Sequence, residues 1–397
     1  MKINNKINEL IDKYLDQVIE IRRDLHQHPE LAMEEVRTSS IVKAQLEELG
    51  LQVEDGVGKM GVVGLLEGQK KGKTILLRAD MDCLPIDEQT DLPFKSKVPG
   101  KMHACGHDVH TSVLLGVAKV LTELKSELKG NVKFVFQPAE EDNPSGGAKY
   151  MIDDGVLENP RVDAAMALHI WDAPLGTVSL RKGVMMAQSD RIFITVKGKS
   201  SHASQPHEGV DAIVIASQII NSLQTIVSRN IDPMENAVIT IGTIHGGSRY
   251  NVLCDEVVLE GTVRTFNPTI SNMMPDKIEQ VAKNAAKSLG GDCDVNYVHG
   301  YKMTLNDEDL TDQTIESFRD ILGPDNVLIP QYPASGSEDF SEFSMRMPSV
   351  FYWLGIKSEI NEGFTTLHNP NLIVDERSIP VGIKSMCKAA IDFLNKW

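Results

Sequence analysis

Three apolar runs, "KTILLRAD", "NVKFVFQP" and "DAAMALHI", are separated by amphipathic stretches in the first half of this chain. Among the stretches around them, "INELIDKYLDQVIEIRRDL" carries Ile7, Leu10, Ile11, Tyr14, Val18, Ile21 and Leu25 at helical spacing and stops before Pro29. "EVRTSSIVKAQLEELG" reads as a second helix ending at Gly50, and "SVLLGVAKVLTEL" as a third. Apolar strands alternating with helices imply a parallel sheet covered on both faces. The fold class expected is therefore α/β.

Near residue 186 the pattern changes. "DRIFITVKG" alternates, a long amphipathic helix follows, and then come two strands, a helix and the strand "CDVNYVHG". This β-α-β-β-α-β order is that of a ferredoxin-like α+β unit. Mixed α/β patterning returns after residue 300. With 397 residues, the chain exceeds what one core usually serves. The expected organisation is a larger domain in two parts, 1–185 and 300–397, interrupted by a smaller inserted domain at 186–299.

Ligands of an open parallel sheet bind beyond the carboxyl ends of its strands. "TILLRAD" ends in Arg78 and Asp80, with Asp82 just after; "VKFVFQPAEE" ends in Glu140 and Glu141; "AAMALHIW" ends in His169. The stretch "MHACGHDVHT", 102–111, lies just before a helix that begins near His107. Thiolate, imidazole and carboxylate donors together suit zinc and its divalent neighbours. There are more donors than one ion needs, and two ions about 3.5–4 Å apart sharing a bridging ligand such as Cys105 would use them. Of two adjacent glutamates, one can bind metal while the other takes the proton of an attacking water, whose pKa a metal brings toward ~7. Spacing leaves open which glutamate does which. His26 and His28 end a helix and read as structural, and Cys83 as a small buried hydrophobe. The three tryptophans, Trp171, Trp353 and Trp397, read as core.

Net charge is −16, from 56 acidic against 40 basic residues, which argues against nucleic acid or an anionic membrane as partner. No apolar region follows Met1 and no run approaches the ~20 residues of a membrane helix. Five scattered cysteines point to a reducing compartment, and the expected location is cytoplasmic.

The motifs "RADMDCLP", "MHACGHDVHT", "QPAEE", "LHIW", "SHASQPHEGVDA", "SGSEDF" and "LHNP" occur in order from residue 78 to 370. Together they resemble the zinc-peptidase family of aminoacylases and glutamate carboxypeptidases, most closely its hippurate hydrolase and auxin-conjugate amidohydrolase branch. The resemblance implies a dinuclear metallohydrolase domain with an inserted lid that commonly forms a dimer interface. It implies Cys105, His107, Glu141, His169 and His368 as ligands, Cys105 bridging, with Glu140 as general base and Asp82 orienting a ligand histidine. Many relatives carry a histidine ligand where Asp80 stands and an aspartate bridge, so Asp80 is left outside the ligand set. His103 and His110 receive no ligand role, and Asp108 is read as capping the helix. In the inserted domain, His202 would polarise the scissile carbonyl, in cis or across a dimer, and Asn251 and Arg264 would bind substrate. An alternative for Arg264 is a pair with Glu260; His207 reads as structural or at the rim.

The expected activity is hydrolysis of N-acyl-L-amino acids to a carboxylate and a free amino acid, with two divalent metal ions as cofactors: zinc or manganese first, cobalt or nickel as alternatives. N-acetyl-diaminopimelate deacetylase, a small carboxypeptidase or dipeptidase, and a non-catalytic metal-binding protein are the alternatives.

Overall fold

The computed structural model describes residues 2–396. The chain divides into two compact units. One takes the chain up to Met185, Thr304–Tyr332 and everything from Asp339 onward; the other takes Met186–Met303 and Pro333–Glu338.

In order along the chain, α1 (Lys2–Gln27) and α2 (Val36–Glu48) precede β1 (Gln52–Val57), β2 (Gly61–Glu67) and β3 (Lys70–Asp80). α3 (His107–Glu123), β4 (Lys129–Gln137), α4 (Gly147–Asp153) and β5 (Ala164–Pro174) follow. The second unit supplies β6 (Gln188–Lys197), α5 (Ala212–Thr225), β7 (Ala237–Gly246), β8 (Glu256–Thr265), α6 (Pro268–Ser288) and β9 (Asp292–His299). The first unit resumes with α7 (Glu308–Leu322), β10 (Ser349–Lys357) and α8 (Ser378–Lys396).

The large sheet corrects one expectation: it is mixed, not parallel. Its order is β1-β2-β4-β3-β5-β10, continued by the short strands Val178–Ser179 and Val327–Leu328. β4, β3, β5 and β10 run parallel to their neighbours in that series. β1 and β2 form an antiparallel hairpin, and β2 is antiparallel to β4. The reason is chain length. Only residues 58–60 separate β1 from β2, and a parallel pairing needs a crossover of a dozen residues or more. The hairpin escapes a periodicity reading because its segment mixes glycine and charge among its apolar residues.

The core lies where α1, α3 and α8 cover one face of this sheet. Ile7, Ile11 and Val18 of α1, Val109, Val113, Val117 and Leu121 of α3, and Ile383 and Met386 of α8 join Leu77, Phe134, Met166 and Tyr352 of the strands in one buried cluster. Each such side chain contributes roughly 1.5–3 kcal/mol of burial. α2 ends as expected, with Gly50 in the left-handed region at φ +73°.

The second unit has its own core. Its sheet order is β9-β6-β8-β7, antiparallel throughout. Ile192, Ile194 and Val196 of β6 pack with Ile215, Ile219 and Leu223 of α5 and Ile278 and Ala282 of α6. Asp211 caps α5, accepting from the amides of Ile213 and Val214; Asn267 caps α6, accepting from Thr269, with Pro268 opening the helix. No helix among the described residues is long and apolar enough to cross a membrane. Trp353 is buried and stacks on Trp171 with ring centroids 4.4 Å apart; Trp397 lies outside the described residues.

Candidate metal centre

Because β4, β3 and β5 are adjacent and parallel, their carboxyl ends fall on one edge of the sheet. Asp80 and Asp82 close β3, Glu140 and Glu141 follow β4, and His169 lies within β5. Cys105 and His107 reach the same edge from the start of α3. Gly106 between them makes this approach work. It adopts φ +82°, and a Cβ there would sit 2.2 Å from Cδ1 of Ile170.

The donors form overlapping groups, each with ligand atoms within 4.8 Å of one another: Cys105, His107 and His169; Cys105, Glu141 and His368; His107, Glu140 and Glu141. Cys105 belongs to the first two. Its Sγ lies 3.3 Å from His169 Nε2, and His368 Nε2 lies 3.2 Å from Glu141 Oε1. All five expected ligands are thus gathered in the first unit. His368 is the most exposed of them and is held by its backbone, whose N–H donates to Ala104 O at 2.7 Å.

Hydrogen bonds decide which nitrogen of each histidine is available. His169 Nδ1 donates to Ile170 O at 2.7 Å, so its Nε2 lone pair faces Cys105. His107 Nδ1 is 3.0 Å from Asp82 Oδ1, and among the described residues nothing hydrogen-bonds its buried Nε2. His110 is different. Its Nε2 accepts from the Ile170 amide at 2.8 Å and its Nδ1 donates to Asp80 Oδ1 at 2.6 Å, so both nitrogens are committed. A further cluster of metal-ligating types, Asp80 with His107 and His110, is accounted for in this way. Asp80 is further tied to Arg78 Nη1 at 2.7 Å.

The electrostatics suit cations. Burial first, then the Glu141 and Glu140 carboxylates, push the Cys105 thiol well above its ordinary value. Burial opposes a charge on His107, yet Asp80 and Asp82 override it and raise the ring to about 10. Burial, reinforced by His110, keeps His169 well below the usual histidine range. Burial also opposes ionisation of Glu141, but His368 and His107 lower it. A neutral His169, the Glu141 carboxylate, and a Cys105 thiol and charged His107 that metal binding would deprotonate are the donor set of a divalent site. The lone Nε2 of His107 backed by a carboxylate is the arrangement by which proteins orient a ligand histidine. The residues present therefore fit a metal pair.

Several residues carry the site without belonging to its expected set. Asp339, from the "SGSEDF" motif, accepts from Arg78 Nη2, Gln137 Nε2 and the Ala148 amide, bracing the ends of β3 and β4. An arginine inside the apolar run "ILLRAD" is the visible signal, since a buried charge requires partners. Asp108 does not cap α3. It pairs with Arg22 Nε at 2.9 Å and His26 Nδ1 at 2.8 Å, while His26 Nε2 lies 3.2 Å from Glu88. These contacts bind α1 to the first turn of α3 and, through Glu88, to the loop before it. His103 is buried, with neither ring nitrogen hydrogen-bonded among the described residues.

A model of the "Peptidase family M20/M25/M40" matches residues 76–392. The chain belongs to this family. Members similar to it include the thermostable carboxypeptidase 1 of Saccharolobus solfataricus, 39% identical over 100% of this chain and 99% of that protein. Another is the N-acetyl-L-cysteine deacetylase of Bacillus subtilis, 41% identical over 91% of this chain and 85% of that one. Among solved M20 structures, a Bacillus subtilis protein described as a dinuclear metal binding peptidase superposes with a TM-score of 0.83 at 33% identity, covering 97% of this chain and all of that one. Like these M20 relatives the chain is a hydrolase, and its family relationship supports two divalent metals.

In the second unit, the His202 and Asn251 segments are hydrogen-bonded to each other. The Ala203 amide donates to Asn251 O at 3.1 Å, and His202 bridges Val252. His202 is exposed; its Nδ1 accepts from the Ser204 amide at 3.1 Å, so Nε2 carries the proton. Asn251 Oδ1 is buried with no hydrogen-bond partner among the described residues. Arg264 is half-buried on β8. Its guanidinium lies 3.4 Å from Ser337 Oγ, and no ion pair to Glu260 is formed.

Proposed function

We propose that the chain is a metal-dependent amidohydrolase that cleaves N-acyl-L-amino acids to a carboxylate and a free amino acid. The observation carrying this reading is Cys105 at the junction of two donor groups, with Glu140 in a third group beside them. In this reading Cys105, His107 and His169 hold one ion, and Cys105, Glu141 and His368 the other. When bound, the pair supplies Lewis acidity to the amide carbonyl and to the attacking water.

The remaining chemistry is assigned to side chains of this chain. Glu140 accepts the proton of the attacking water and returns it to the leaving amine nitrogen. His202 donates its Nε2–H to the developing oxyanion. Arg264 and Asn251 grip the substrate carboxylate, for which a guanidinium is suited. Burial of Glu140, Cys105 and His169 supports a site that excludes water from competing contacts.

We read 186–299 as a lid that also forms a homodimer. β7 ends its sheet and leaves Val238 and Ile244 exposed, and such an edge invites pairing. The five cysteines are all unpaired thiols, which supports a cytoplasmic location.

Steady-state rates on acetyl-methionine, hippurate, N-acetyl-diaminopimelate and a dipeptide test the assignment. N-acyl amino acids should lead. The full-length likeness to a carboxypeptidase favours a second reading, peptide hydrolysis, and a strong preference for the dipeptide would select it. Glu140→Gln should keep metal content near wild type and lose several orders of magnitude in rate; surviving activity removes Glu140 as base.

A further inference from the structure

The turn that presents Glu140 and Glu141 contains an unusual residue. Ala139 adopts φ +54°, in the left-handed region that a non-glycine residue holds only when its surroundings over-determine it. Three ties do so. The Ala139 amide donates to Glu35 Oε1 at 2.8 Å. The Gly147 amide donates to Ala139 O at 3.0 Å. The Glu141 amide donates to Asp82 Oδ2 at 2.9 Å. The amides on either side of Glu140 therefore both end on carboxylates from other segments.

Asp82 has a second task at His107, whereas the Glu35 carboxylate otherwise faces backbone amides of its own turn, at Met33 and Glu35. It stands at the N-cap position of α2 without capping it, because Glu30 accepts the Arg37 and Thr38 amides at 2.9 and 2.8 Å. Glu35 is fully buried, and its Oε2 has no hydrogen-bond partner among the described residues. A carboxylate is a costly way to fill such a space, and burial together with the Asp82 charge pushes it up to about 7. A group that works against stability beside a functional site is a candidate for a role in that site.

We infer that Glu35 is a positioning residue: its carboxylate locks Ala139 in the left-handed turn and so aims Glu140 at the reacting water. The inference rests on the reading of Glu140 as the base. A neutral acceptor of the same shape can hold the Ala139 amide, whereas an alanine cannot.

Two variants and two readouts test it. In Glu35→Ala, hydrogen exchange of the segment 136–142 in the metal-free protein should quicken by at least about 10-fold, since its amide loses its acceptor. kcat on the best N-acyl amino acid should fall by about 100-fold with KM changed by less than about 2-fold, the size expected of a misaimed group. Glu35→Gln should restore both. Where Glu35→Ala does not fold, Glu35→Asp, shorter by one methylene, should show the same losses. Wild-type kcat in Glu35→Ala or Glu35→Asp, unchanged exchange, or equal losses in the Gln and Ala variants each overturn the inference. If wild-type protein hydrolyses no N-acyl amino acid, the proposed function fails by itself. Exchange in Glu35→Ala still decides whether Glu35 holds the turn.

Discussion

His107 presents its Nδ1 to Asp82 at 3.0 Å, while the other oxygen of that carboxylate holds the Glu141 amide. One aspartate thus orients two proposed ligands, one on α3 and one after β4. Asp82→Asn offers one acceptor and one donor where two acceptors are needed. It should weaken metal binding by about 10–100-fold in competition with a chromophoric chelator. Affinity equal to wild type would remove Asp82 from that role.

Cys105 is shared by two donor groups. Cys105→Ala should therefore lower metal stoichiometry below two ions per chain, measured by elemental analysis of purified protein. Two ions retained in the variant would exclude the sulfur as a bridge.

His110 has the right residue type and place for a ligand, yet both ring nitrogens are used, by Asp80 and the Ile170 amide. His110→Gln should keep wild-type metal stoichiometry and lower thermal stability. Leaving buried polar groups unpaired costs about 1–3 kcal/mol each. A lost ion in this variant would make His110 a ligand after all.

Arg22 and Asp108 are each 1% exposed and 2.9 Å apart. Asp108→Asn leaves the arginine charge buried with less compensation, so the expected loss on chemical denaturation is about 3–5 kcal/mol. A change below 1 kcal/mol would mean the pair acts like a surface contact.

For metal-free protein, Glu35 sets a pH dependence. Its carboxyl rises from 4.5 to about 7 on folding. The folded state then keeps a proton that the unfolded chain has released, so stability falls as pH rises between these values and levels off above. Glu35→Gln does not titrate. Its melting temperature relative to wild type should rise from pH 4.5 to pH 7, by differential scanning calorimetry in chelator. A constant difference across that range would contradict the shift.

The helices α1, α3 and α8 and the strands β3, β4 and β5 are legible along the chain, because amphipathic stripes and apolar runs are local patterns. The donors at the strand ends are legible for the same reason: residue type and distance from a strand end are written in order. The β1–β2 hairpin is not, since its segment lacks a clean alternation and its antiparallel pairing depends on a three-residue turn.

His107 and His110 show where local reading stops. They stand one helical turn apart, and nothing in "GHDVHT" separates a proposed ligand from a brace. Asp82, Asp80 and the Ile170 amide make the distinction, and they come from other segments. Glu35 is a harder case, since its partner is the backbone of Ala139, 104 positions away. Order along the chain establishes which chemical groups are available and which elements carry them. Folding alone determines where each proton and lone pair points, because a hydrogen bond depends on a partner within about 3 Å whatever its place in the sequence.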